Sequence, residues 1–364
     1  MDEVTEAVYD RLADVYDANR HAAWPDHLSR FLDRADPDRP VLDAGCGTGI
    51  YLPALAAHPA DVVGTDRIAA MLARARGTLV QASHEHLPFA DESMGGVWSR
   101  HSCVHTPHDE LPMVLRELRR TIPVGAPLSL SLIARRDGAP LSFVSGDDLP
   151  GRTFWTWDAD HLDDLLVGAG FEGGRSALHA REIDGHDVSC VWAETERVRS
   201  IADTVAAGTR LLVCGLNPSL RAADAGIGFV TPGNRFWPAA IEAGLASRDR
   251  DPEHALRHHG LGMTDLVKRA TPRAAELTKP EYGEGLNRID RLCRRLRPGA
   301  VCFVGLAGWR AAADRNATAG PQRQDLGGRP VYVVPSTSGL NGSSQHPDFV
   351  NHFRAALALA DRAA

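Results

Sequence analysis

The stretch Gly215-Leu-Asn-Pro-Ser219 constrains this 364-residue chain more than any other. It follows Leu211-Leu-Val-Cys214, a short apolar run of the kind that forms a buried strand. The strand cannot continue through it, because Pro218 lacks a donor and Gly215 relaxes the backbone. Asn217 is thereby placed on a tight loop at the carboxyl end of a strand, where open α/β sheets bind their ligands. Val331-Tyr-Val-Val334, followed by Pro335-Ser-Thr-Ser-Gly-Leu-Asn341, repeats the design. Two such loops can face each other across one cleft.

Apolar runs alternate with helical patterns along both halves. Val41-Leu42, Val62-Val63, residues 128–133 and residues 188–192 read as strands, and residues 113–120 and 161–168 read as helices. The alternation predicts an α/β chain of two three-layer α/β/α domains. Residues 1–195 form the first, 196–209 a polar linker or linker helix, and 210–364 the second.

The net charge of −7 is divided unevenly. Residues 1–200 hold 19 Arg and Lys against 32 Asp and Glu, and residues 201–364 hold 21 against 15. A basic half can contact phosphates and an acidic half is repelled by them, although an excess this small also suits ordinary surface variation. Six cysteines are scattered without a CxxC pair, which argues for reduced thiols and against a zinc ribbon or iron–sulfur cluster. No run is long and apolar enough for a membrane span, and the acidic start Met1-Asp-Glu-Val lacks a signal core. A cytoplasmic protein is expected.

In the first half, Val41-Leu-Asp-Ala-Gly-Cys-Gly-Thr-Gly49 is a strand entering a glycine-rich turn, with a helix from about Ile50. Asp66 follows a second strand, at the distance where a carboxylate suits ribose hydroxyls. The segment resembles motif I of class I S-adenosylmethionine-dependent methyltransferases. Residues 9–16, Leu87-Pro-Phe-Ala-Asp91 and Ala169-Gly-Phe171 fit as well, so the resemblance spans roughly residues 5–195. It implies a Rossmann-like fold, S-adenosylmethionine as cofactor, Gly45, Gly47, Gly49 and Asp66 as its contacts, and Asp43 close by. Two places depart from the pattern: Gln81-Ala-Ser-His84, where the family usually has an Asp, and Met94-Gly95-Gly96, where it has Phe-Asp. A domain that keeps the fold without the chemistry is the alternative. His101, His105 and His108 are expected on a solvated loop, and Trp155 and Trp157 in packing roles.

The second half resembles the mismatch-specific uracil/thymine DNA glycosylases, of the uracil-DNA glycosylase superfamily, from about residue 210 to 353. Beside the opening motifs, Thr231-Pro-Gly-Asn-Arg-Phe-Trp237, Gly226-Ile-Gly-Phe229, Gly262-Met-Thr-Asp-Leu-Val267, Arg269-Ala-Thr271, Ala275-Glu-Leu277 and the strand Ala300-Val-Cys-Phe-Val-Gly305 fall in order. The resemblance implies a metal-free, monofunctional glycosylase that extrudes uracil or a related base from double-stranded DNA containing a mispaired uracil or damaged base. Asn217 would position the attacking water, holding it without taking its proton. Phe229 would stack on the flipped base, with Gly215, Leu216, Pro218, Asn234 and Ser338 around it. Gly339, Leu340 and Asn341 would form the wedge, with Leu340 inserted into the stack. Gly342 stands where bacterial relatives often carry an Arg. Phe236 and Trp237 are expected in the core. Two other readings are a non-catalytic lesion-binding protein and a methyltransferase whose second half delivers a nucleic-acid substrate. No (D/N/S)PP(Y/F) run or Pro-Cys pair is present to suggest DNA base methylation.

Overall fold

In a computed structural model, all residues are described except 23, 174, 175, 184, 185 and 364, with backbone alone for 181–183 and 186–188. The chain divides into two compact units, residues 1–167 with 171–198, and residues 168–170 with 199–364.

Ten strands build the sheet of the first unit: β1 (Val41–Ala44), β2 (Val62–Asp66), β3 (Thr78–Gln81), β4 (Gly96–Arg100), β5 (Pro127–Ala134), β6 (Ser142–Val144), β7 (Thr153–Trp157), β8 (Phe171–Gly173), β9 (Ala177–Ile183) and β10 (His186–Arg197). The order β3-β2-β1-β4-β5 is parallel throughout, and β10 then adds antiparallel to β5. Parallel strands are covered on both faces, which is why β1 and β5 are buried along nearly their whole length, Asp43, Ser129 and Ser131 included. One face is closed by a ring cluster of Trp24, Phe31, Tyr51, Trp98 and Trp192. The predicted helices over 113–120 and 161–168 are Leu111–Thr121 and Ala159–Ala169. The helix after the glycine turn is only Leu52–Leu55. Proline at its second position and the small residues beyond it leave little to extend it.

The second sheet has five strands: β11 (Leu211–Gly215), β12 (Leu261–Asp265), β13 (Ala300–Val304), β14 (Gly320–Pro321) and β15 (Val331–Val334). Their order is β12-β11-β13-β15-β14, parallel except for β14. The chain leaves β11 toward β12 and later returns to β13 on its other side. The crevice of the sheet therefore opens at the carboxyl ends of β11 and β13. One face is covered by Phe236, Trp237, Phe349 and Phe353, and the other by Trp309, Ile289 and Leu292.

The segment 196–209 corrects the expectation of a linker. β10 runs to Arg197, no helix follows, and Ser200, Ile201, Ala202, Asp203, Thr204 and Val205 are buried. Thr204 exchanges backbone hydrogen bonds of 2.9 and 2.8 Å with Met263 of β12. Asp203 accepts from Lys268 Nζ at 2.8 Å, Arg288 Nη1 at 2.8 Å and Thr264 Oγ1 at 2.7 Å. Burial alone would raise its pKa, but Arg288 and Lys268 hold the carboxyl below its ordinary value. Asp203 is thus part of an internal ion network; its polarity suggested exposure only because its partners lie 61 to 85 residues away.

Candidate functional sites

The first unit has an open cleft at the carboxyl ends of β1, β2 and β4. Gly45, Gly47 and Asp66 line it. Gly45 has φ +76°, and a side chain there would run into Ser102. Asp66 is fixed by two backbone donors, Gly47 N to Oδ2 and Ile68 N to Oδ1, both at 2.9 Å. Burial raises its pKa, against those two hydrogen bonds. Each oxygen keeps a lone pair for a hydroxyl donor.

Two expected contacts lie elsewhere. Gly49 is outside the cleft lining, and a side chain there would press on Ala75 and Leu52 at 3.0 Å. Its small size is required by packing. Asp43 is buried beneath the turn, its Oδ2 without a hydrogen-bond partner. Burial, with Asp66 nearby, pushes its pKa up to about 8. The opposite wall carries Tyr9, Tyr16, His84, His101 and His105. Tyr16 faces the glycine turn, its Cε1 3.5 Å from where a Gly47 side chain would begin.

The histidines overturn the expectation of a solvated loop. His105 is 6% exposed, and Thr153 O, 2.6 Å away, can only accept, so Nδ1 carries the proton. Its Nε2 then accepts from Tyr9 Oη at 2.8 Å, and Arg152 Nη1 donates to that oxygen at 2.9 Å. The chain Arg152, Tyr9, His105, Thr153 therefore has one direction. Burial lowers the pKa of His105 and of His84 to about 4, and that of His101 well below the usual value. His108 Nε2 donates to the carbonyl of Thr156 at 2.9 Å, with its ring 4.1 Å from that of buried Trp157. A Pro-containing loop suggested solvent, but the β6–β7 hairpin and the N-terminal helix Glu3–Arg11 cover it. Helix residue Tyr9, read from the sequence only as part of a matching stretch, is the residue missed.

In the second unit, Asn217 has an orientation the surroundings decide. Its Nδ2 lies 3.2 Å from Pro218 O, 3.0 Å from Arg269 O and 2.8 Å from Thr271 Oγ1. Both carbonyls only accept, and the Thr271 hydroxyl gives its proton to Arg273 O at 3.0 Å. The amide nitrogen must face them, which leaves Oδ1 with no protein donor among the described residues. The site thus presents one oriented acceptor.

Phe229 lines a smaller recess together with Gly228, Met263, Thr264, Asp265 and the buried segment at Ile201 and Thr204. It has φ +61° and stacks on Phe236, centroids 4.1 Å apart and planes 17° from parallel. A side chain on Gly215 would meet Phe229 Cζ at 3.5 Å and would collide with Asp265 Oδ1. Asp265 is thus brought against the loop that precedes Asn217. Burial raises its pKa to about 6, with Lys268 and Arg288 lowering it and Asp203 raising it. Sequence reading quoted Asp265 within a motif and gave it no role; its strand-end position beside Gly215 was the available signal.

The other expected pocket residues separate. Leu216 packs its side chain into the core toward Gly308, while its carbonyl accepts from Val267 N at 2.9 Å. Pro218 is buried, its carbonyl accepting from Thr271 N at 3.1 Å. Asn234 Oδ1 accepts from Phe236 N at 2.9 Å, opening the helix Phe236–Glu242. Phe236 and Trp237 are core residues. Ser338, Gly339 and Asn341 form a loop in which Leu340 is 97% exposed. Gly339 lies against Gly233, so this loop and the Phe229 side of the crevice adjoin.

All six cysteines are buried and unpaired. Among the described residues, no group of three or more His, Cys, Asp or Glu is placed to hold a metal, and no helix is long and apolar enough to cross a membrane.

A methyltransferase domain family matches residues 42–128, and the uracil DNA glycosylase superfamily matches residues 202–359. The chain is similar to a SAM-dependent methyltransferase of Methanosarcina mazei, at 17% identity over 49% of this chain and 99% of that one, with a TM-score of 0.42. It is similar to a possible histamine N-methyltransferase of Thermotoga maritima at 18% identity, covering 53% and 99% of the two chains with a TM-score of 0.39. A magnesium protoporphyrin IX methyltransferase of Synechocystis, solved with bound SAM, is similar at 18% identity over 52% and 80%, with a TM-score of 0.34.

Proposed function

We propose that this chain, which carries a methyltransferase domain followed by a uracil DNA glycosylase superfamily domain, is a monofunctional glycosylase for uracil or a related mispaired base in DNA, joined to an S-adenosylmethionine-dependent methyltransferase. The observation that carries the glycosylase reading is the fixed orientation of Asn217. With its nitrogen committed to Arg269, Thr271 and Pro218, Oδ1 is held ready to accept a hydrogen bond from water. An amide is too weak a base to take the proton. The reaction then depends on departure of the base: the C–N bond breaks, its electron pair leaves with the base, and positive charge develops at the sugar. The oriented water adds its oxygen to the anomeric carbon, and its proton ends on the departed base or in solvent. Phe229, stacked on Phe236, offers a ring face to the extruded base. Leu340, exposed at its loop tip, supplies an apolar plug for the stack.

In the first unit, the Gly45 and Gly47 turn, Asp66 and the Tyr16 ring suit a nucleoside cofactor, and Asp43 Oδ2 beneath them is a buried oxygen without a partner. S-adenosylmethionine, when bound, would supply an electrophilic methyl group. Asp66 would accept from ribose hydroxyls. The neutral histidines His84, His101 and His105 would add no positive charge beside the cofactor.

The test of the glycosylase reading is single-turnover excision from a G·U duplex, read as strand scission after alkali, beside equilibrium DNA binding. Asn217→Ala is expected to lose excision on paired and unpaired uracil alike while binding stays near wild type. Retained excision in that variant, or none in wild type, removes the reading.

A further inference from the structure

We infer that Arg235 is a positioning residue that sets the Leu340 loop. The inference rests on the glycosylase reading, because only an inserting loop needs a set height and direction.

One side chain organises the loop. Arg235 Nη1 donates to Ser344 O at 2.7 Å, and Nη2 donates to Ser338 O at 3.0 Å and to Asn341 O at 2.6 Å. Its backbone N–H donates to Thr337 O at 2.9 Å. The guanidinium lies over Phe349, 4.7 Å from the ring centroid, and that ring is fully buried in the core. A core-anchored fork thus grips the loop on both sides of Leu340. Leu340 has only a backbone bond of its own, N to Ser338 Oγ at 3.3 Å. Asn341 adds a local turn, donating from Nδ2 to Ser336 O at 2.7 Å. Three carbonyls in different directions suit a planar guanidinium and not an ammonium.

The next residue faces the other way. Phe236 is fully buried and carries the stacked Phe229. Asn234 Oδ1 holds the Phe236 N–H, fixing the step between the two side chains.

A phosphate-binding arginine is the competing role. Here the terminal nitrogens point at carbonyls and Nε is buried without a partner, so none of these donors is directed at DNA. The two roles differ in salt dependence, since loss of a phosphate contact lowers the salt slope of binding by about one.

The experiment uses the full chain with Arg235→Met, which keeps the apolar stem and removes every donor, and Arg235→Lys. Single-turnover excision is compared on a G·U duplex and on single-stranded uracil oligonucleotide. Arg235→Met is expected to lose about tenfold or more on the duplex and only about twofold on the single strand, because unstacking is needed only in the first. Arg235→Lys falls between wild type and Arg235→Met. Adding Arg235→Met to Leu340→Ala causes no further loss, and the salt slope stays unchanged. Backbone amide exchange over residues 338–344 quickens in Arg235→Met while the helix Phe236–Glu242 keeps its protection. Equal loss on both substrates, additive losses, a reduced salt slope or unchanged exchange overturns the inference. Absent excision by wild type overturns the glycosylase reading alone, and amide exchange still decides the positioning role.

Discussion

Phe229 and Phe236 lie face to face, yet Phe229 reaches that position only with a left-handed backbone, φ +61°. An aromatic residue holds such a conformation at a cost on the order of 1–3 kcal/mol. The stack returns roughly 0.5–1.5 kcal/mol beyond its buried area. Phe229→Gly is therefore expected to change folding stability little, because relief of strain offsets the lost ring. Excision should nevertheless fall by one to two orders of magnitude, following the ~1–3 kcal/mol of base stacking. Urea unfolding and single-turnover kinetics on the same preparation separate the two effects. A large stability loss with normal excision would make Phe229 a core residue only.

Gly215→Ala places a methyl group against Asp265 Oδ1 and near Phe229. Neither neighbour is free to retreat, since one ends a strand and the other is stacked. The substitution should destabilise by about 1–3 kcal/mol, as overpacking does. It should also disturb the Asn217 loop, lowering excision. The double variant Gly215→Ala with Asp265→Ser opens the space and should recover most of the stability. Failure of Asp265→Ser to rescue the melting temperature would show that the collision is not with Asp265.

Asp265 also predicts a pH dependence. Its pKa in the fold, about 6, lies above the ordinary carboxyl value of 3.8. The folded state therefore binds this proton more tightly than the unfolded state. The resulting stabilisation is present below about 4 and is lost as pH rises through 6. Asp265→Asn should then stabilise the second unit at pH 7.5, by on the order of 1–3 kcal/mol, and have little effect at pH 4. The urea midpoint of wild type and variant at the two pH values measures this. An equal difference at both would mean that packing, not ionisation, distinguishes them.

Asp66→Ala should weaken S-adenosylmethionine binding by about tenfold or more, the loss of two charge-assisted hydrogen bonds. It also removes the acceptors for Gly47 N and Ile68 N. Asp66→Asn is the finer probe, because its carbonyl oxygen still holds one of these donors. Calorimetric titration of both variants, with unfolding curves alongside, gives the result. Equal affinity in wild type and Asp66→Ala would place the cofactor elsewhere.

Strand cores and loop positions were legible because they rest on local signals. Apolar runs such as Leu211-Leu-Val-Cys214 and Val331-Tyr-Val-Val334 are strands, and Asn217 and Leu340 sit on the loops that follow. What was not legible depends on partners distant in sequence. His105 is buried because Tyr9 and Thr153 meet it from positions 96 residues before and 48 after. Leu216 turns inward because Gly308 leaves room for it. Asp265 gains its place only when β12 pairs beside β11. Of these, only the strand-end position of Asp265 leaves a trace in the sequence, and its pairing beside Gly215 does not.

The ion network around Asp203 decides where this protein can be cut. Lys268 and Arg288 are buried, and Asp203 is the carboxylate that both of them touch. A fragment begun just before the strand Leu211–Gly215, at residue 210, would delete the buried carboxylate that both of these cations touch. It would also strip Ile201 and Thr204 from the cavity beside Phe229. Anyone separating the two units by truncation should therefore start near residue 199, sixteen positions before Gly215.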